Sequence, residues 1–162
     1  DELGGTEYLK VMFDCSEGKP PVLDRKNEQK VQSFCWELIQ KELISSAHDC
    51  SEGGLAVAVA ESCFSPGCET LGASLMIEST LRNDSLLFGE TQSRIIVSFS
   101  EEQINEIKDL AKDFSVDFSL IGIVGGSHLT ITINGKEVVK QEIELLKEIW
   151  KNSLGNYARQ TT

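Results

Sequence analysis

Leu129-Thr130-Ile131-Thr132-Ile133-Asn134-Gly135-Lys136-Glu137-Val138-Val139 decides what kind of fold this chain can adopt. Leu129, Ile131 and Ile133 alternate with Thr130 and Thr132, which predicts a strand buried on one face. Asn134-Gly135 is the residue pair that a type I′ turn demands, because both central positions need positive φ. Lys136–Val139 then returns as the second strand of a hairpin. At least one strand pair is therefore antiparallel. Helices are expected on both sides of this segment, so an all-parallel doubly wound sheet is disfavoured. The expected class is α+β, with a mixed β-sheet flanked by helices in α/β/α layers.

Working outward, Phe118–Val124 reads as another strand, closed by Gly125-Gly126. A last helix should cover about 141 to 151. Upstream, Ser100 opens a helix with Gln103 in capping-box position and with Ile104, Ile107, Leu110 and Ala111 on one face. Arg94–Phe99 and Ala73–Ile77 read as strands, with Leu86–Gly89 leading into the former. Leu55–Phe64 is apolar nearly all round and should be a buried helix, ended by Ser65-Pro66-Gly67. Ser45–His48 reads as a short strand. An amphipathic helix is expected over about 24 to 44, capped by Asp24, with Val31, Phe34, Cys35, Leu38 and Ile39 on one face. Thr6–Phe13 reads as a short helix, and Gly18-Lys19-Pro20-Pro21 as a linker. The implied organisation is a lead-in over 1–23, one domain over 24–154 and a frayed tail over 155–162.

The chain has 162 residues, 40% of them apolar, enough for one sizeable core. Its net charge of −11 opposes nucleic-acid phosphates and anionic membranes, so neither is an expected partner. No apolar run is long enough to cross a bilayer, and no leader precedes the chain, which suggests a cytoplasmic protein. The first residue is Asp1, consistent with a piece of something longer. Cys15, Cys35, Cys50, Cys63 and Cys68 are odd in number and are expected to be reduced thiols. His48, Cys50, Cys63 and Cys68 lack any paired C-x-x-C spacing, so no metal site is expected.

Two segments could carry chemistry. In His48-Asp49-Cys50-Ser51-Glu52-Gly53-Gly54-Leu55, two glycines let a ligand approach the backbone, and the following helix start offers N–H groups to an anion. Asp49 and Glu52 would repel a phosphate unless Mg²⁺ or a lysine intervened, and they suit ribose hydroxyls better. The same residues have an architectural reading: Ser51 caps the helix, Gly53 and Gly54 permit close packing, and Asp49 bonds the loop. In Phe88-Gly89-Glu90-Thr91-Gln92-Ser93-Arg94, an extended backbone would place Glu90 and Gln92 on one face to read a ligand's hydrogen-bonding edge. The architectural reading is a Glu90–Arg94 ion pair at a strand mouth. The two loops are expected to meet along one sheet edge and line a groove made electronegative by Asp49, Glu52 and Glu90. Neither a P-loop nor a nucleophile elbow is present.

Four blocks carry a resemblance: LGGTEYLK at 3–10, SAHDCSEGGLAVAVAES at 46–62, LFGETQSRIIVS at 87–98 and IGIVGG at 121–126. In this order they resemble phosphoribosylformylglycinamidine synthase, component II of the bacterial small type. The match is to the C-type domain of its second half, a relative of the C-terminal domain of aminoimidazole ribonucleotide synthetase. The resemblance implies an ATP- and Mg²⁺-dependent enzyme of purine biosynthesis that converts formylglycinamide ribonucleotide and glutamine-derived ammonia into the amidine. It implies partners as well: ATP-binding N-type domains of the same polypeptide, a glutaminase and a small accessory subunit. Glu90, Thr91 and Gln92 match a Glu-Ser-Gln motif that contacts the ribonucleotide in the first-half domain, with Thr91 departing from Ser. Substrate- or nucleotide-binding roles are thus implied for His48, Asp49, Ser51, Glu52, Gly53, Gly54, Glu90, Thr91, Gln92 and Arg94.

The catalytic histidine, ATP lysine and magnesium carboxylates of that family lie in its N-type domains. No catalytic residue, cofactor or activity is therefore expected in this chain alone. The competing readings are another small-molecule ATP-dependent enzyme of the same superfamily and a non-catalytic binding or scaffold module.

Overall fold

Asp24 stops the chain from entering a helix one residue early, and its carboxylate accepts from the Lys26 and Asn27 N–H groups at 3.0 and 3.2 Å. Helix α2 (Arg25–Gln40) follows, burying Val31, Phe34 and Leu38. It is preceded by α1 (Glu7–Phe13), capped by the Thr6 hydroxyl. In this computed structural model residues 2–64 and 71–160 are described, the side chains of 154–160 excepted. The remaining elements in chain order are β1 (Ser46–Asp49), α3 (Gly54–Ser62), β2 (Ala73–Ile77), α4 (Asn83–Phe88), β3 (Ile95–Ser98), α5 (Ile104–Phe114), β4 (Gly122–Val124), β5 (His128–Ile133), β6 (Lys136–Glu142) and α6 (Ile143–Gln160). A 3₁₀ turn, Glu101–Gln103, leads into α5, where the Gln103 side chain accepts from the Ser100 N–H at 3.1 Å.

The residues divide between two compact units. The first comprises the chain up to Val59 together with Thr80–Leu120. Its strands β1 and β3 pair antiparallel, from Ser46↔Ser98 to Asp49↔Ile95. Its core is Phe34, Leu38, Leu43, Ile107 and Ala111, with Ile44, Phe99, Leu110, Phe114, Val116 and Phe118 packed around it. Phe34 and Leu38 of α2 thus meet Ile107 and Ala111 of α5, as their periodicity leads one to expect, whereas Ile39, expected on the same face of α2, is exposed.

The second unit comprises Ala60–Ser79 and the chain from Ile121 on. Its four strands run in the order β4-β2-β5-β6, and the sheet is mixed: β2 pairs parallel with β5 and antiparallel with β4, and β5 pairs antiparallel with β6. The hairpin forms as its sequence requires, with Asn134 and Gly135 at φ 50° and 75°. Asn134 also clasps the end of β2's connection, accepting from Ser79 N–H at 2.9 Å and donating to its carbonyl at 2.8 Å. Leu129, Ile131 and Ile133 are buried at alternate positions, and Ile131 has no exposed surface.

The fold class is α+β with helices and a mixed sheet, as expected. Three local readings differ. Leu86–Gly89 is expected only to lead into β3, and Leu86 to Phe88 complete a helix, α4, that no pattern signalled. The strand expected over Phe118–Val124 is confined to Gly122–Val124, because Phe118 packs at 6.0 Å on Phe99 in the first unit. Helix α6 continues to Gln160, through residues expected to fray. Ser65-Pro66-Gly67 and Cys68 lie outside the described residues. No described helix is long and apolar enough to cross a membrane.

Cys15, Cys35, Cys50 and Cys63 are free thiols. Burial pushes the Cys63 thiol up from the ordinary 9.0 to about 11, and burial also raises Cys35 and Cys50. A raised thiol pKa means that the folded state disfavours the thiolate. Its stabilising contribution is complete below pH 9.0 and is lost as pH rises toward 11. At pH 8, Cys63 should react with iodoacetamide about 100-fold more slowly than in urea. Peptide mass spectrometry reads this directly, and equal rates in both states would contradict its burial.

Candidate functional site

All ten sequence-predicted site residues fall in the first unit. His48 and Asp49 end β1, Ser51 to Gly53 form the turn, and Gly54 begins α3. Glu90 to Arg94 form the connection between α4 and β3. Pairing of β1 with β3 brings the two segments together, and the Cys50 N–H extends that pairing by donating to the Arg94 carbonyl at 2.9 Å.

The glycines are required by geometry. Gly53 and Gly54 lie at φ 76° and 63°, in the left-handed region. A Cβ on Gly53 would meet the Val57 side chain at 2.4 Å. One on Gly54 would meet the Gly89 carbonyl oxygen at 2.6 Å and the Leu87 carbonyl oxygen at 2.9 Å. The start of α3 is thus pressed against the end of α4, backbone to backbone. Close packing accounts for the Gly-Gly pair without a ligand.

The polar side chains are largely occupied. Glu90 is half-buried, and its Oε1 accepts from the Gly53 N–H at 2.8 Å and from the Glu7 N–H at 3.0 Å. No ion pair joins Glu90 to Arg94. The Arg94 guanidinium instead donates to the carbonyls of Thr91, at 3.2 Å, and of Gly89, stapling the loop. The Ser93 hydroxyl donates to Glu28 of α2 at 2.5 Å. Ser93 stands at φ 63° with a bend at Gln92 and Ser93, so Glu90 and Gln92 do not share the face of an extended segment.

Ser51 does not cap α3; its hydroxyl donates to the Asp49 carboxylate. That bond holds the Asp49 carboxyl below its ordinary value, aided by the loop backbone and His48. His48 Nδ1 donates to the Asp49 carbonyl at 2.7 Å. Glu52 and Gln92 are exposed, and Thr91 is half-buried.

This arrangement offers hydrogen-bond acceptors and an ionised carboxylate at a tightly made loop junction. It can read hydroxyl or amino groups. It is poorly suited to a bare phosphate, because a carboxylate already takes the Gly53 N–H. A Mg²⁺ ion fits no better: Glu90 is committed to backbone, and no group of three or more His, Cys, Asp or Glu placed to hold a metal occurs among the described residues.

Sequence reasoning missed the part played by the lead-in. Tyr8 stacks on Phe88 with ring centroids 4.6 Å apart and planes 6° from parallel. Glu7 meets Glu90, and a Cβ on Gly89 would stand 3.3 Å from the Glu2 carbonyl oxygen. Glu2, Glu7 and Tyr8 therefore meet the 88–90 segment. The exposed Val11, Met12 and Phe13 concealed this, since no spacing in a seven-residue helix distinguishes a docked face from a free one.

A family described as AIR synthase related protein, C-terminal domain, matches residues 1–134. The chain belongs to this family. Among curated relatives, phosphoribosylformylglycinamidine synthase subunit PurL of Moorella thermoacetica is 42% identical over 153 residues, covering 94% of this chain and 20% of the relative. The corresponding subunit of Thermoanaerobacter pseudethanolicus is 37% identical over the same coverage. The chain thus spans about a fifth of the length of the curated relatives it matches. Among solved structures, T. maritima PurL complexed with ATP superposes with a TM-score of 0.69 at 19% identity, covering 90% of this chain and 24% of that one. T. maritima PurL complexed with FGAR gives a TM-score of 0.69 at 21% identity, over 78% of this chain and 22% of that one. At such identities these structures establish the shared fold.

Proposed function

We propose that this chain is a domain of a cytoplasmic phosphoribosylformylglycinamidine synthase, the ATP-dependent ligase that makes formylglycinamidine ribonucleotide from formylglycinamide ribonucleotide and glutamine-derived ammonia. The supporting observation is 37–42% identity to curated PurL subunits across 94% of the chain. In this reading ATP phosphorylates the substrate amide oxygen and ammonia displaces the phosphate. Phosphoryl transfer depends on positioned cations and metal. The loop junction of this chain fits neither, so ATP and Mg²⁺ would be held by N-type domains of the same polypeptide. The domain's own contribution is one wall of a cleft, built on the loops 48–54 and 89–94. A glutaminase and a small accessory subunit would complete the assembly, in keeping with the PurLQS structure from Thermotoga maritima.

The test is a chimera in which this chain replaces the matching segment of the Moorella thermoacetica subunit. Amidine formation from the ribonucleotide, ATP and ammonium is expected in the chimera. This chain by itself is expected to hydrolyse no ATP. A folded chimera without synthase activity would overturn the reading, as would ATP hydrolysis by this chain that a substitution within it abolishes.

A further inference from the structure

Glu90 has one acceptor atom engaged by two segments far apart in sequence. Its Oε1 accepts from Gly53 N–H at 2.8 Å and Glu7 N–H at 3.0 Å. Both donors need such a partner. Glu7 is the first residue of α1, where backbone N–H groups have no intrahelical acceptor. Gly53 sits in the left-handed turn before α3. Helix α1 has only seven residues and no buried side chain, too little to be stable in isolation. Its position rests on the Thr6 cap, on Tyr8 stacked over Phe88 and on Glu90.

We propose that Glu90 is a positioning residue rather than a ligand contact. Its carboxylate clips the lead-in helix α1 to the Gly53-Gly54 turn, and the loops 48–54 and 90–92 hold their binding geometry only while residues 2–13 are docked. Because a single oxygen serves both donors, the two attachments stand or fall together. Ligand contact is left to the exposed Gln92 and Glu52 and to the half-buried Thr91. The link to a ligand rests on the synthase reading above; the clip itself does not.

The test compares Glu90→Ala with Glu90→Gln in the full-length polypeptide. Amide hydrogen exchange is followed at Glu7 and Gly53, and the KM for formylglycinamide ribonucleotide is measured alongside. In Glu90→Ala both amides should exchange at least about tenfold faster, together, while Ile131 and Ile133 of the second unit keep their protection and report a folded protein. In Glu90→Gln, whose amide oxygen still accepts, protection and KM should stay near those of the parent. Unchanged protection in Glu90→Ala overturns the clip, and loss at only one amide overturns the coupling. A KM raised equally in both variants with the amides still protected makes Glu90 a ligand contact. If neither variant nor the parent makes amidine, the synthase reading fails while the exchange result still decides the clip.

Discussion

Replacing Gly54 by alanine should destabilise the protein by about 2–5 kcal/mol, enough to erase a large part of the stability of an ordinary domain. Two separate effects combine. Gly54 stands at φ 63°, where an L side chain costs roughly 1–2 kcal/mol. Its added Cβ would also lie 2.6 Å from the Gly89 carbonyl oxygen and 2.9 Å from that of Leu87. Those neighbours are backbone at the end of α4 and cannot swing aside, so overpacking adds about 1–3 kcal/mol. Gly5 is the control: it has φ 74° but nothing within 4 Å of its Cβ position. Gly5→Ala should carry the conformational part alone. Urea unfolding of both variants reads the difference. If Gly54→Ala proves no worse than Gly5→Ala, the close approach of α3 to α4 is wrong.

Ile131→Ala should be comparably damaging for an unrelated reason. Ile131 has no exposed surface and lies on β5, between β2 and β6. Removing its buried methylenes forfeits their transfer free energy and leaves a cavity, about 2–5 kcal/mol in all. Ile131→Val removes one methylene and should lose only about 0.5–1.5 kcal/mol. Calorimetric unfolding of the pair checks the ratio. A loss below about 1 kcal/mol for the alanine variant would mean that the buried face of β5 is not the one its alternation defines.

Elements with strong local signals were legible from residues alone. Asp24 before α2, the alternation of β5 and the Asn134-Gly135 turn each combine a pattern with a specific backbone chemistry, and each forms where expected. Helix α4 was not legible: it has six residues, Arg82 before it provides no side-chain cap, and its apolar residues are too few to show a period. For Phe118–Val124 the sequence misleads, because a mostly apolar run, broken only by Ser119 and Gly122, does not reveal that its ends serve different cores. At the loops, sequence brought the two segments together but did not show their bonds. A carboxylate beside two glycines looks the same in sequence whether it faces a ligand or holds two backbone N–H groups. For Glu90 only the distances to Gly53 and Glu7 decide.

The two units interleave along the chain, since each is assembled from segments separated by a piece of the other. During synthesis β2 emerges long before β5, its parallel partner. At about 5–20 residues per second, the ribosome leaves β2 without that neighbour for roughly 3–10 s. Throughout that interval Ala73 and Leu75 have no finished core to enter, and the strand edge is open to other nascent chains. The exposed positions between and beyond them are Ser74 and Met76, so β2 carries no charged residue to discourage such pairing. Expression yield should therefore depend on temperature and chaperone supply more steeply than the stability of the finished protein would suggest.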